Sequence, residues 1–131
     1  MSQRVLIVDD EPNIVISLEF LLKREGFAVS VARDGEEGLA AIRAQRPALV
    51  ILDVMMPKLD GYAVLQAVRA DPELAATRIL MLTAKGRDAE QKKGLTLGAD
   101  SYMPKPFSTH ELIAKARELL NTDAATPSAG N

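Results

Sequence analysis

Three short runs of the chain contain only large apolar residues, which constrains the fold more than any other feature. They are Val5–Val8, Leu49–Leu52 and Ile79–Leu82. Strands that are covered on both faces have this continuous pattern, which is typical of parallel sheets with helices on each side. Phe27–Val31 alternates and predicts a fourth strand nearer an edge. Ser101–Met103 predicts a fifth strand, and the prolines at 104 and 106 after it favour an edge position.

Helical patterns fill the segments between these strands. Apolar residues recur at helical spacing between Pro12, which suits a first turn, and Gly26, which suits a stop. Further helices are predicted at about 36–45 after Asp34, at 61–70 after Asp60, at 88–97, and after Ser108. The order is a strand and a helix five times over. It predicts an α/β fold, with a parallel sheet and right-handed crossovers.

Composition limits the classes of function. The chain has 131 residues, a net charge of −2 and a sequence pI of about 5.4. It lacks the basic surface that phosphate-backbone binding needs, so we expect no direct nucleic acid binding by this chain. It contains no cysteine, and the apolar run near its N-terminus is far too short for a signal peptide or a membrane span. We therefore expect a cytoplasmic protein without membrane contact.

The last eleven residues differ in composition from the rest. The segment NTDAATPSAGN, residues 121–131, has no large apolar residue. We therefore predict one domain over residues 1–120 and a flexible C-terminal tail, or the start of a linker, over residues 121–131.

Polar residues stand where the predicted strands end. Asp9 and Asp10 follow the first strand, Asp53 the third, Thr83 ends the fourth and Lys105 follows the fifth. Ligands of open parallel sheets bind beyond the carboxyl ends of the strands. Three carboxylates at one edge need a cation, and all-oxygen ligation suits Mg²⁺. Asp53 is then a candidate nucleophile for a phosphoryl group.

Four motifs together carry a family resemblance. They are VLIVDDEP, LDVMMPKLDG, MLTA and LGADSYMPKPF, in this order between about residues 4 and 120. With them the chain resembles the receiver domain of two-component response regulators, and in particular single-domain regulators of the chemotaxis type. The resemblance implies a three-layer, doubly wound (βα)5 flavodoxin-like fold with strand order 2-1-3-4-5.

The resemblance also implies the residues of a phosphorylation site. Asp53 would accept the phosphoryl group. Asp10 would bind Mg²⁺ directly and Asp9 directly or through water, and Asp53 and the backbone carbonyl of Met55 would complete the protein's share of the metal ligands. Lys105 would contact a phosphoryl oxygen, and the bond that follows it, to a proline, is usually cis in this family.

Two residues would form the switch. In the family, Thr83 moves toward the phosphoryl group and Tyr102 swings inward as it does so. The surface of the fourth helix, fifth strand and fifth helix would then change its affinity for an effector protein. The phosphoryl donor would be a sensor histidine kinase or a phosphotransfer protein, and the chain would be a monomer or a phosphorylation-dependent dimer. It would catalyse only its own phosphorylation and dephosphorylation, without being an enzyme in the usual sense. Met55 and Lys85 are expected to tune the hydrolysis rate.

Three alternatives stay open at this point. The chain is expected to be a stand-alone receiver, but it could instead be the receiver part of a larger regulator with a DNA-binding or enzymatic domain. A Mg²⁺-dependent phosphatase or phosphotransferase of the haloacid dehalogenase type would need a second Asp where this chain has Met55. A flavodoxin-like cofactor binder would need a phosphate loop where this chain has DDEPN.

Overall fold

The computed structural model describes residues 3–56, 58–84 and 88–128, and across them five strands alternate with five helices. The strands are Arg4–Val8 (β1), Ala28–Ala32 (β2), Leu49–Asp53 (β3), Arg78–Ala84 (β4) and Ser101–Lys105 (β5). The helices are Pro12–Arg24 (α1), Gly35–Gln45 (α2), Gly61–Ala70 (α3), Asp88–Leu97 (α4) and Thr109–Ser128 (α5).

The strands form one parallel sheet in the order β2-β1-β3-β4-β5. Val8 at the end of β1 pairs with Leu52 near the end of β3, and Ala84 at the end of β4 pairs with Lys105 at the end of β5. This register brings the carboxyl ends of the strands to one edge of the sheet. The predicted α/β fold and its strand order 2-1-3-4-5 are confirmed.

The sheet separates two hydrophobic clusters. Along β1, Val5 and Ile7 belong to one cluster, and Leu6 and Val8 belong to the other. The first cluster also contains buried residues of α1 and α5, and the second those of α2 and α3. Both faces of the sheet are therefore covered, which explains the continuous apolar runs. Each fully buried aliphatic side chain contributes about 1.5–3 kcal/mol relative to an exposed one.

Capping interactions start three of the helices at the predicted residues. Side-chain oxygens of the cap residues accept backbone N–H groups at Asp34 from Glu37 (2.8 Å), at Asp60 from Ala63 (2.9 Å) and at Ser108 from Glu111 (3.0 Å). Each bond satisfies one of the N–H groups that a helix start leaves free. Helix α1 begins at Pro12, and Gly26 follows its end with a φ of +95°.

Strand β5 differs from its predicted extent. The prolines were expected to end it at Met103, but it runs through Pro104 to Lys105. An edge strand tolerates proline where the missing N–H faces away from the neighbouring strand. As a result, Lys105 is the last residue of the strand, and its position at the edge is fixed by the pairing with β4.

Helix α5 also differs from the prediction. The backbone is helical through Ser128, whereas a flexible tail was predicted from residue 121. A helix that has already been nucleated propagates at little further cost, so its backbone can continue through a segment without large apolar residues. The division into a domain over residues 1–120 and a tail over 121–131 stays a prediction. Among the described residues, no helix combines the length and the hydropathy that crossing a bilayer requires.

A hydrogen-bonded network ties the amino ends of β4 and β5 to α3. The Arg69 guanidinium donates to the carbonyls of Gly98 (2.8 Å), Ala75 (2.9 Å) and Thr77 (2.7 Å) and to the Asp100 carboxylate (2.9 Å). The same Asp100 oxygen accepts the backbone N–H of residue 79 at 2.7 Å. A single side chain therefore joins the α3–β4 and α4–β5 connections.

Replacing this guanidinium tests the network. Arg69→Lys keeps the charge but cannot reach three carbonyls and a carboxylate together, so we expect a loss of about 2 kcal/mol in unfolding free energy. Urea unfolding followed by circular dichroism measures it. The same exchange at the exposed Arg24 is the control and should cost less than about 0.5 kcal/mol. Equal losses in the two variants would contradict a special role for Arg69.

Candidate functional site

Three carboxylates converge at the carboxyl edge of the sheet. Asp9 directly follows β1 and Asp53 ends β3, and both are buried, while Asp10 is exposed. One carboxylate oxygen from each lies within 4.8 Å of the other two. The structure thus brings together the three acids that the sequence placed at the ends of two strands.

The local backbone fixes Asp9. Its N–H donates to the carbonyl of Ala32 on β2 at 3.1 Å, which continues the sheet pairing by one residue. Its Oδ1 accepts the N–H of Glu11 at 2.9 Å. The N-cap residue of α1 is Glu11, and no side chain caps this helix. The two aspartates therefore do not serve as a helix cap, which is the usual structural role of such a pair before a helix.

The ammonium group of Lys105 lies among these acids. Its Nζ is 3.2 Å from Oδ2 of Asp9 and 3.3 Å from Oδ1 of Asp53. It is also 3.7 Å from Oε1 of Glu11, which is largely exposed. The sequence analysis identified Lys105, but it did not single out Glu11 for the site. The charge pattern DDE could have suggested that the third acid also contacts the lysine.

Burial and like charge set the electrostatics of the site. Burial, reinforced by the neighbouring Asp9 carboxylate, raises the pKa of Asp53 to about 7, although Lys105 opposes this shift. Burial alone would lower the pKa of Lys105, but the Asp53 and Asp9 carboxylates outweigh it and raise that pKa above its ordinary value. One ammonium group thus balances two buried carboxylates incompletely.

The hydroxyl of Thr83 is buried near the end of β4. Thr83 is 1% exposed, and its Oγ1 makes no hydrogen bond to the described residues. A buried hydroxyl without a partner costs free energy unless something in the functional state satisfies it. Tyr102, on the edge strand β5, is exposed and shares no hydrogen bond or ion pair with the acids in the described part of the chain.

The loop between β3 and α3 begins directly after Asp53. Its described residues are Val54, Met55, Met56, Lys58, Leu59 and Asp60. The Val54 N–H donates to the carbonyl of Leu82 at 3.2 Å, so the loop leaves the sheet in register with β4. The Met55 side chain is exposed. Lys85 lies outside the described residues.

Gly61 is a residue that the sequence analysis did not single out for the site. A Cβ atom at Gly61 would lie 2.3 Å from the Asp53 carbonyl oxygen and 2.9 Å from the Val54 Cα, so only glycine fits against this backbone. A glycine that follows a helix cap residue directly, as in the pair DG, is the signal that could have identified it.

The donor set fits a divalent cation. Three carboxylates within 4.8 Å supply hard oxygen ligands, which suit Mg²⁺ or Ca²⁺ rather than a softer metal. The raised pKa of Asp53 has the same origin, since uncompensated negative charge is what a cation would neutralise. The bond between Lys105 and Pro106 is cis.

Comparison with known sequences gives a consistent result. A family model described as the response regulator receiver domain matches residues 5–117. The alkaline phosphatase synthesis transcriptional regulatory protein PhoP of Bacillus subtilis is 44% identical over 129 residues, which cover 98% of this chain and 53% of PhoP. The chain spans about half the length of the curated relatives it matches.

Solved structures that resemble this chain include a response regulator and a receiver domain. The chemotaxis response regulator CheY4 of Vibrio cholerae superimposes with a TM-score of 0.86 at 32% identity, covering 91% of this chain and 99% of CheY4. The receiver domain of the sensor histidine kinase PA1611 from Pseudomonas aeruginosa gives a TM-score of 0.85 at 27% identity, covering 92% and 99%. The PA1611 structure has a magnesium ion coordinated in its active-site cleft.

The raised pKa of Asp53 predicts how stability depends on pH. Between the ordinary carboxyl value of 3.8 and about 7, the folded protein holds a proton on Asp53 that the unfolded chain has released. The contribution of this group to stability is therefore complete below about pH 4, falls as pH rises toward 7, and is unfavourable above 7. Without metal at pH 8, we expect Asp53→Asn to increase the unfolding free energy by about 1–2 kcal/mol.

Urea unfolding at pH 4.5 and pH 8, with and without Mg²⁺, measures this effect. The gain from Asp53→Asn should shrink at pH 4.5, and Mg²⁺ should stabilise the parent protein more than the variant. Asp60→Asn is the control, because asparagine also caps a helix and Asp60 stands outside the acidic cluster. A variant that is less stable than the parent at pH 8 would contradict the prediction.

Proposed function

The chain belongs to the response regulator receiver family of two-component signalling, and from this premise we propose that Asp53 accepts a phosphoryl group in a Mg²⁺-dependent reaction. The observation that carries this proposal is the position of Lys105. Its ammonium lies between the buried carboxylates of Asp9 and Asp53 at 3.2 and 3.3 Å. Such an arrangement suits a site that must bind a cation and an incoming anion in turn.

The chemistry is phosphoryl transfer to a carboxylate. An Asp53 oxygen forms a bond to phosphorus while the bond from phosphorus to the donor's imidazole nitrogen breaks, and the imidazole leaves with the electron pair. Asp9, Asp10, Asp53 and the Met55 carbonyl would hold Mg²⁺, which neutralises carboxylate and phosphoryl charge when bound. Lys105 would exchange a carboxylate partner for a phosphoryl oxygen.

The buried hydroxyl of Thr83 supports a switching role. Because its Oγ1 has no partner in the described structure, a phosphoryl oxygen on the adjacent strand end would give it its missing hydrogen bond. We propose that this bond draws Thr83 toward Asp53 and that Tyr102 then moves inward from its exposed position. The surface of α4, β5 and α5 would report the change to an effector, as a local charge event biasing a two-state element.

The proposed partners follow from the chemistry and from the relatives. A sensor histidine kinase or a phosphotransfer protein would supply the phosphoryl group. The chain would accelerate only its own phosphorylation and hydrolysis, so we do not class it as an enzyme. Its location in the cytoplasm stays a prediction.

One observation favours transcriptional control as the output. PhoP of Bacillus subtilis is named as a transcriptional regulatory protein, and it is about twice as long as the matched region. We propose that this receiver works in such a regulator, with DNA contacts made by another part or by a partner. A reading frame that continues into a helix-turn-helix pattern supports DNA contacts by another part of the same protein. A reading frame without such a pattern supports DNA contacts by a partner.

Uptake of a phosphoryl group is the direct test. The protein is incubated with a small acyl phosphate, with and without Mg²⁺, and its intact mass is recorded. We expect one phosphoryl group, labile to base, only with Mg²⁺. Asp53→Asn should take up none, whereas the control Asp60→Asn should behave like the parent. Equal uptake by Asp53→Asn, or uptake that persists without any divalent cation, would contradict the proposal.

Replacing the buried hydroxyl separates phosphorylation from switching. Valine has nearly the same shape as threonine, and Thr83→Val removes a polar atom that has no hydrogen-bond partner in the described part of the chain. We therefore expect the unphosphorylated variant to be as stable as the parent within about 1 kcal/mol. It should still be phosphorylated on Asp53. Amide chemical-shift changes in β5 upon phosphorylation should be strongly reduced, whereas a full set of changes would exclude Thr83 as the switch residue.

A further inference from the structure

The amino end of α2 lies directly under the β3–α3 loop. A Cβ atom at Gly35 would be 1.7 Å from the Leu59 carbonyl oxygen and 2.7 Å from the Leu59 Cβ. The obstacle includes main-chain atoms, which cannot swing away as the end of a long side chain would. The loop can therefore occupy its present place only because position 35 is glycine.

The other end of the loop is fixed at the site itself. Gly61 packs against the Asp53 carbonyl, and its N–H donates to the Val54 carbonyl at 2.9 Å. Met55, whose carbonyl is a proposed metal ligand, lies in this loop between Val54 and Leu59. A shift of the loop at Leu59 would therefore be transmitted along a few residues to this carbonyl.

An ion pair joins the same two elements. Nζ of Lys58 is 3.7 Å from Oδ2 of Asp34, and Oδ1 of Asp34 accepts the Glu37 N–H at 2.8 Å. One carboxylate thus caps α2 and contacts the loop. Lys58 has a φ of +69°, in the left-handed region that residues other than glycine rarely adopt.

We propose that Gly35 and Asp34 are positioning residues for the metal site. The amino end of α2 packs against the β3–α3 loop, and this contact determines where the Met55 carbonyl lies relative to Asp53. The proposal rests on the proposed function, because it assumes that a divalent cation binds at the acidic cluster. Neither residue touches the carboxylates of that cluster in the described structure, so their effect acts through the loop.

Gly35→Ala is the main test. The added methyl group must displace Leu59, so we expect Mg²⁺ affinity, measured by calorimetry, to fall about tenfold or more. Hydrogen exchange without metal should show faster exchange at the Gly61 amide, which reports the loop directly. Gly98→Ala is the control. Alanine is unfavourable there because Gly98 has a φ of +113° and an added Cβ would lie 3.0 Å from the Arg69 side chain. Gly98 lies at the opposite end of the sheet from the acidic cluster.

A pair of milder variants keeps the test valid if Gly35→Ala does not fold. Asp34→Ser retains a capping oxygen for α2 but removes the ion pair, and Lys58→Asn retains a residue that tolerates positive φ. Each should weaken Mg²⁺ binding about two- to fivefold, since Lys58 is largely exposed and the two charges are 3.7 Å apart. The double variant should be no weaker than either single variant, because both remove the same contact.

The outcomes distinguish a failure of this inference from a failure of the proposed function. Weak Mg²⁺ binding in Gly35→Ala with near-parental binding in Gly98→Ala supports the inference. Equal losses in both variants mean general destabilisation and overturn it, as does parental affinity and parental exchange at Gly61 in Gly35→Ala. If the parent protein itself neither binds Mg²⁺ nor takes up a phosphoryl group, the proposed function fails, and the inference falls with it.

Discussion

The ammonium of Lys105 between two buried carboxylates is the interaction on which the rest of the structure depends. Asp9 and Asp53 are both more than nine-tenths buried, and buried carboxylates are tolerated only with a partner of opposite charge. The partner comes from a strand more than fifty residues away in sequence from Asp53. All three residues meet only if β1, β3 and β5 end at the same edge, so the site requires the whole parallel sheet in its present register.

The amino and carboxyl ends of the strands differ in how their polar groups are paired. At the amino ends of β4 and β5, Arg69 and Asp100 satisfy each other and the carbonyls around them. At the carboxyl ends, charges are balanced incompletely and the Thr83 hydroxyl has no partner in the described structure. The Arg69 network thus stabilises one end of the sheet, and the groups that a ligand would contact lie at the other end.

Local patterns predicted most of the fold, because apolar runs, caps and strand ends are signals of short range. They located Asp53, Thr83 and Lys105 through a general rule about parallel sheets, and the family resemblance supplied the roles that remain proposals. The patterns missed the packing of Leu59 against Gly35, because that contact joins segments that are distant in sequence. They also did not indicate that the helix continues to Ser128, since the segment after residue 120 has no large apolar residue, and the division into a domain and a tail stays a prediction.

The unsatisfied groups at the carboxyl edge define what a ligand must bring. An ionised Asp53 is unfavourable there because burial and Asp9 raise its pKa to about 7, and the Thr83 hydroxyl has no hydrogen-bond partner among the described residues. A cation together with a phosphoryl group would relieve both conditions at once, and neither would do so alone. A ligand shifts a conformational equilibrium only by its differential affinity for the two states. In the proposed switch, the Asp53 carboxylate and the Thr83 hydroxyl would supply this differential affinity.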